Sequence, residues 1–137
     1  MRDINVIVIH HSGNHDSYEK IKELHVHEYG WDDVGCHYMV SRDGEIIDGR
    51  PVFKVGAHVK GFNSDSIGID ILGNLDLEEV TPVQFQALVS LVKGLMRKYD
   101  VKIVKGHNEF SGVVKTCPGL KFDMDKFRAA LSSTLRC

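Results

Sequence analysis

With 137 residues, 42% of them hydrophobic, the chain has the size and apolar content of one domain with one core, spanning residues 1–137. Charged residues make up 26% and the formal net charge is only -2, which excludes a global field that would draw in nucleic acid or anionic lipid, so neither partner is expected. Cysteines at 36, 117 and 137 are odd in number, which argues for reduced thiols rather than a disulfide framework.

The N-terminus carries a short apolar run rather than a signal peptide or a membrane span, so synthesis in the cytoplasm is expected. An extracytoplasmic target would require another route out. Val6 to Ile9 is β-branched throughout, the pattern of a strand buried on both faces, and it delivers His10 and His11 at its end. Asp16 with Glu19 three residues on resembles a capping box, and Tyr18, Ile21 and Leu24 recur at helical spacing until Gly30. Cys36 to Ser41 and Glu45 to Asp48 flank Arg42-Asp43-Gly44, which predicts a hairpin because Asp-Gly tolerates the positive φ angles of tight turns.

Ile67 to Leu72 predicts the next strand, with Ile67, Ile69 and Ile71 on one face and Asp70 on the other, where carboxylates are uncommon. Thr81-Pro82 opens a helix whose apolar stripe, from Phe85 through Leu88, Val92 and Leu95 to Tyr99, packs on a sheet. Val101 to Val104 follows as a strand, 106 to 119 as an irregular segment, and Asp123 caps a last helix bearing Phe127 and Leu131. The architecture implied is α/β: a single mixed β-sheet flanked by helices.

His10 stands at a strand end, His107 follows a strand, and Cys117 lies ten residues further on in a turn fixed by Pro118 and Gly119. Two imidazoles and a thiolate suit Zn²⁺ and leave one coordination position for water. Spacing alone leaves open hydrogen-bonding histidines and a cysteine acting as a small core hydrophobe. His15, His25, His27 and His37 are read as structural or surface residues, and His11 as a neighbour that orients a ligand.

Seven blocks in order resemble the zinc N-acetylmuramoyl-L-alanine amidases, a family that includes phage lysozyme-type amidases, anhydromuramyl amidases and the peptidoglycan recognition proteins. They are Val-Ile-His-His-Ser (8–12), Gly-Trp-Asp-Asp-Val-Gly-Cys-His-Tyr (30–38), Ser-Arg-Asp-Gly-Glu-Ile (41–46), Val-Gly-Ala-His (55–58), Gly-Phe-Asn-Ser-Asp-Ser-Ile-Gly-Ile-Asp (61–70), Gly-His (106–107) and Lys-Thr-Cys-Pro-Gly (115–119). The resemblance implies the amidase and peptidoglycan-recognition fold, with His10, His107 and Cys117 as zinc ligands and Lys115 as the catalytic lysine. His58 and Asn63 then line the substrate groove. The implied substrate is peptidoglycan or a muropeptide, and the implied reaction is hydrolysis of the amide between N-acetylmuramic acid and L-alanine.

The chain departs from this pattern at Cys36, where many relatives place a tyrosine that assists the water. Recycling relatives lack the tyrosine and use a glutamate in the strand of the fifth block, where this chain has Asp70. Asp70 is therefore expected to be the general base, with orientation of a ligand as the other reading. A monomeric phage or prophage endolysin is the expected setting, leaving the cell through a membrane lesion made by a partner. The competing readings are a recognition module that binds without cleaving, a cytoplasmic recycling amidase, and a structural zinc domain.

Overall fold

The computed structural model describes residues 2–30, 34–110 and 116–132. The β-branched run becomes β1 (Val6–His11), whose first five residues are buried, and Ser12 to Ser17 lead into α1 (Tyr18–Glu23). The cap of α1 is Ser17, whose hydroxyl accepts from Lys20 N–H; Asp16 instead pairs with the Lys20 ammonium across 3.6 Å. The expected cap at Asp16 is thus displaced by one residue, because Ser17 directly precedes the first helical residue, Tyr18, and Asp16 is engaged by the Lys20 ammonium. After α1 the chain widens into a π-helical turn, Leu24–Glu28.

The hairpin is present as β2 (Tyr38–Val40) antiparallel to β3 (Ile46–Asp48), and Gly44 at its turn has φ 84°. β4 (Ser66–Ile71) lies parallel to both β2 and β1, and β5 (Ile103–Gly106) lies parallel to the other edge of β1. The sheet order is β3-β2-β4-β1-β5. β5 begins two residues later than its sequence pattern suggests, because Val101 N–H is used to close the preceding helix on Met96.

That helix is α2 (Pro82–Tyr99), capped by a box in which Thr81 accepts from Gln84 N–H and Gln84 reaches back to Thr81. α3 (Met124–Ser132) is capped by Asp123, whose carboxylate accepts from Lys126 N–H at 3.0 Å. Ile7, Ile9, Ile67, Ile69 and Ile71 pack on Leu88, Val92 and Leu95 of α2 and Phe127 of α3. Each such side chain contributes about 1.5–3 kcal/mol on full burial, so this face carries most of the stability.

The opposite face is different in kind. Toward the strands' carboxyl ends, where ligand crevices form in α/β sheets, it carries His10 and Asp70. Among the described residues no helix is long and apolar enough to cross a membrane.

Candidate metal centre and active-site cleft

Strand register builds the site. Parallel pairing sets His10 beside Asp70 and Asp70 beside Met39, so these side chains share one row on one face. On the other edge, Ile9 pairs with Gly106, and one step beyond stand His10 and His107, their ring centroids 4.6 Å apart. Gly106 turns the chain out of the sheet into a short 3-10 turn that begins at His107.

Cys117 arrives from the far loop, which is fastened on both sides. Asn108 N–H donates to the Cys117 carbonyl at 2.7 Å, and Gly119 N–H donates to Thr116 at 2.7 Å, across a turn that contains the cis Cys117-Pro118 peptide. Asp76 spans the loop: one carboxylate oxygen accepts from Leu120 N–H at 2.8 Å and the other from the Thr116 hydroxyl at 3.0 Å. Those two hydrogen bonds, the backbone one first, hold its carboxyl below the usual range. His11 braces the same region through Nδ1, which accepts from Leu75 N–H at 3.0 Å, while its backbone N–H donates to Cys117 Sγ at 3.3 Å.

The donor atoms of His10, His107 and Cys117 all lie within 4.8 Å of one another. His10 Nδ1 is 3.6 Å from Cys117 Sγ. A tetrahedral ion with bonds of about 2.0 Å to nitrogen and about 2.3 Å to sulfur separates those two atoms by about 3.5 Å, so the pair fits zinc with little rearrangement. His10 is almost fully buried, and burial, with the neighbouring His58 and His107, holds its pKa well below 6.5. It is therefore neutral at physiological pH, as ligation requires.

Beside the donors opens a cleft of about 350 Å³ whose lining includes His10, His11, Cys36, His58 and Asp70. Asp70 has no hydrogen-bond partner among the described residues, and burial pushes its carboxyl up to about 7. A half-buried carboxylate at a cleft edge with no such partner is costly unless it has a task, which makes Asp70 a candidate for proton transfer. Cys36 is buried at the cleft wall and packs with Ile21, Val34, Met39 and Leu72. Its thiol cannot supply a phenol's chemistry.

His58 lies against His10, with Nδ1 3.0 Å from His10 Nε2, and its own Nε2 is 3.1 Å from the Ser66 hydroxyl. Asn63 does not point at His10; its side-chain carbonyl accepts from His58 N–H at 2.9 Å and Val59 N–H at 2.8 Å, which shapes the segment that carries His58. Lys115 lies outside the described residues. His37 is structural: Nδ1 accepts from Gly68 N–H at 3.0 Å and Nε2 donates to Lys54 O at 2.9 Å. Burial lowers its pKa to about 4. Asp76 was not singled out by sequence, since an acidic residue after Gly73-Asn74-Leu75 reads as an ordinary loop residue; its distance of 41 residues from Cys117 hides the connection.

Comparison with known proteins places the chain in a family. The family model described as N-acetylmuramoyl-L-alanine amidase matches residues 1–120. The endolysin of Escherichia phage T7 is 37% identical over 113 residues, covering 79% of this chain and 72% of that one. Among solved structures, N-acetylmuramoyl-L-alanine amidase LysC from Clostridium intestinale superposes with a TM-score of 0.88 at 37% identity, covering 95% of this chain and 86% of that one. The complex of tracheal cytotoxin with the ectodomains of peptidoglycan recognition proteins LCa and LCx matches with a TM-score of 0.77 at 28% identity, covering 88% of this chain and 79% of the matched one. The chain belongs to the N-acetylmuramoyl-L-alanine amidase family of enzymes.

Proposed function

We propose that this enzyme cleaves the amide between the lactyl group of N-acetylmuramic acid and L-alanine in peptidoglycan, as a zinc-dependent phage or prophage endolysin that acts as a monomer. The observation that carries the reading is the convergence of His10, His107 and Cys117 beside the unpaired carboxylate of Asp70 at one cleft. Zinc held by these three side chains would act as a Lewis acid on the amide carbonyl and lower the pKa of a bound water toward about 7.

The rest falls to the chain's own groups. Asp70, poised in the row beside His10, accepts the proton of the attacking water and can return it to the leaving amine of L-alanine. Lys115, two residues before Cys117, stabilises the negative charge that develops on the carbonyl oxygen, an effect of about 3 kcal/mol for one well-placed donor. Because the thiolate of Cys117 donates charge and softens a Lewis acid, that cation matters more here than beside a ligand set without sulfur.

His58 and the segment shaped by Asn63 border the cleft where the muropeptide would lie. Cytoplasmic recycling of soluble muropeptides is the second reading, favoured by a carboxylate in β4 where a tyrosine at position 36 is lacking. Faster turnover of intact sacculi than of anhydromuropeptide supports the endolysin reading; the reverse supports recycling. Metal content and amidase rates of Asp70→Ala and Lys115→Ala test the roles. Both variants should hold zinc and lose most activity, and full activity in metal-loaded Asp70→Ala would remove Asp70 as the base.

A further inference from the structure

We propose that His58 is a positioning residue for the metal: it fixes the tautomer and the ring orientation of His10 through a chain that ends on Ser66. This rests on His10 being a metal ligand. His10 Nδ1 faces Cys117 Sγ at 3.6 Å, so its lone pair must be free for the ion and its proton must sit on Nε2. Among the described residues that proton has one recipient, His58 Nδ1, at 3.0 Å. His58 must then carry its own proton on Nε2, where the Ser66 hydroxyl accepts it at 3.1 Å. One proton arrangement satisfies the whole chain from Ser66 to the metal side of His10. A ligating imidazole whose outer nitrogen has such an acceptor is held in place and made a better donor.

The backbone is built around the His58 ring. A Cβ added at Gly68, in the middle of β4, would lie 2.5 Å from His58 Cγ, and one added at Gly56 would lie 2.7 Å from His58 Cδ2. Real Cβ atoms do not approach so closely, so the absence of a side chain at both positions admits the ring. Gly68 is also where His37 accepts a backbone N–H, which locks the strand against which the ring rests. From the other side, Asn63 holds the His58 and Val59 N–H groups and sets the backbone from which the ring projects. Two glycines, one asparagine and one serine thus converge on the placement of one imidazole.

The sequence offers a sharp test because asparagine and glutamine imitate different nitrogens of histidine. The side-chain oxygen of asparagine falls near the place of Nδ1, whereas the polar end of glutamine falls near that of Nε2. Zinc affinity is measured by competition with a chromogenic chelator, and ligand geometry by the visible spectrum after cobalt substitution. His58→Ala and His58→Gln are expected to bind zinc about 10- to 100-fold more weakly than the parent chain, with an altered cobalt spectrum. His58→Asn should come within a few-fold of the parent. Gly68→Ala should weaken zinc binding although it removes no polar group, and Ser66→Ala should weaken it less than His58→Ala.

Equal affinity in His58→Ala and the parent would overturn the inference, as would equal rescue by asparagine and glutamine. If His58→Ala does not fold, the contrast between His58→Asn and His58→Gln decides the question alone. A parent chain that takes up no zinc would instead overturn the metal reading itself, so the two failures are distinguishable.

Discussion

Replacing Asp70 by asparagine should make the metal-free protein more stable and the enzyme inactive, and the size of the first effect should depend on pH. The folded chain raises the Asp70 carboxyl from 3.8 to about 7 because burial penalises its charged form. The folded state therefore holds this proton more tightly than the unfolded state does. Stability attributable to Asp70 is intact below about pH 4, is lost as pH rises toward 7, and stays lost above it. At about 1.4 kcal/mol per pKa unit the full gap corresponds to about 4 kcal/mol. Water in the adjoining cleft reduces this to about 2–3 kcal/mol, since a carboxylate at its edge is not wholly desolvated.

Urea denaturation of the two metal-free chains between pH 4 and pH 8.5 reads the effect, because the two chains differ only at this carboxyl and share every histidine. The advantage of Asp70→Asn should be near zero at about pH 4 and reach its plateau above about pH 7. Bound zinc should shrink it, since a nearby cation favours the carboxylate. Amidase activity should fall by about 10²- to 10⁴-fold, the usual worth of a positioned acid or base. An advantage that does not vary with pH, or an asparagine variant less stable than its parent at pH 8, would refute the burial argument. Retained activity would refute the catalytic one.

His37 predicts the opposite slope. Burial lowers its pKa from 6.5 to about 4, so the stability it contributes is present above 6.5 and is lost as pH falls from 6.5 toward 4. His37→Asn, which keeps an acceptor for Gly68 N–H, should flatten that part of the stability profile by about 2–3 kcal/mol. Gln84 is fully buried and donates to Val40 O and Leu72 O while accepting from Arg42 and from Thr81 N–H. Gln84→Leu should therefore cost about 2–4 kcal/mol in thermal or chemical unfolding; a loss below about 1 kcal/mol would show that water replaces those bonds. Asp76→Ala releases both ties on the loop around Cys117 and should weaken zinc binding with little change in global stability, measured by chelator competition beside a melting curve.

What could be read from the residues alone follows from how local the signal is. Thr81-Pro82 announces a helix start because capping is settled within one turn, and Asp43-Gly44 announces a hairpin because φ is settled within one residue. The β-branched run that ends at His10 likewise declares a buried strand. Limits appear where neighbours compete: Ser17 takes the cap expected of Asp16, and the end of α2 claims Val101 from β5.

The site was legible as a set of residue types but not as an arrangement. His10, His107 and Cys117 were named from their chemistry and from the family blocks, yet the row that joins His10 to Asp70, and the end of β5 that brings His107 beside them, are properties of strand register. The hydrogen bond from His10 to His58 spans 48 residues, and the brace from Asp76 to Thr116 spans 40. Neither has a local signature: the sequence reading sets His58 in the substrate groove, and the folded chain, which lines the cleft with His58, also sets its ring against a proposed ligand.

The central claim is the bond that is cut and the metal that cutting needs. Purified peptidoglycan incubated with the zinc-loaded enzyme should yield stem peptides with a free L-alanine amino terminus and glycan strands bearing intact lactyl carboxyls, identified by mass spectrometry. A chelator should abolish their release and added zinc should restore it. Cleavage of a glycosidic bond or a bond within the peptide, or unchanged release of the same products after the metal is removed, would contradict the account.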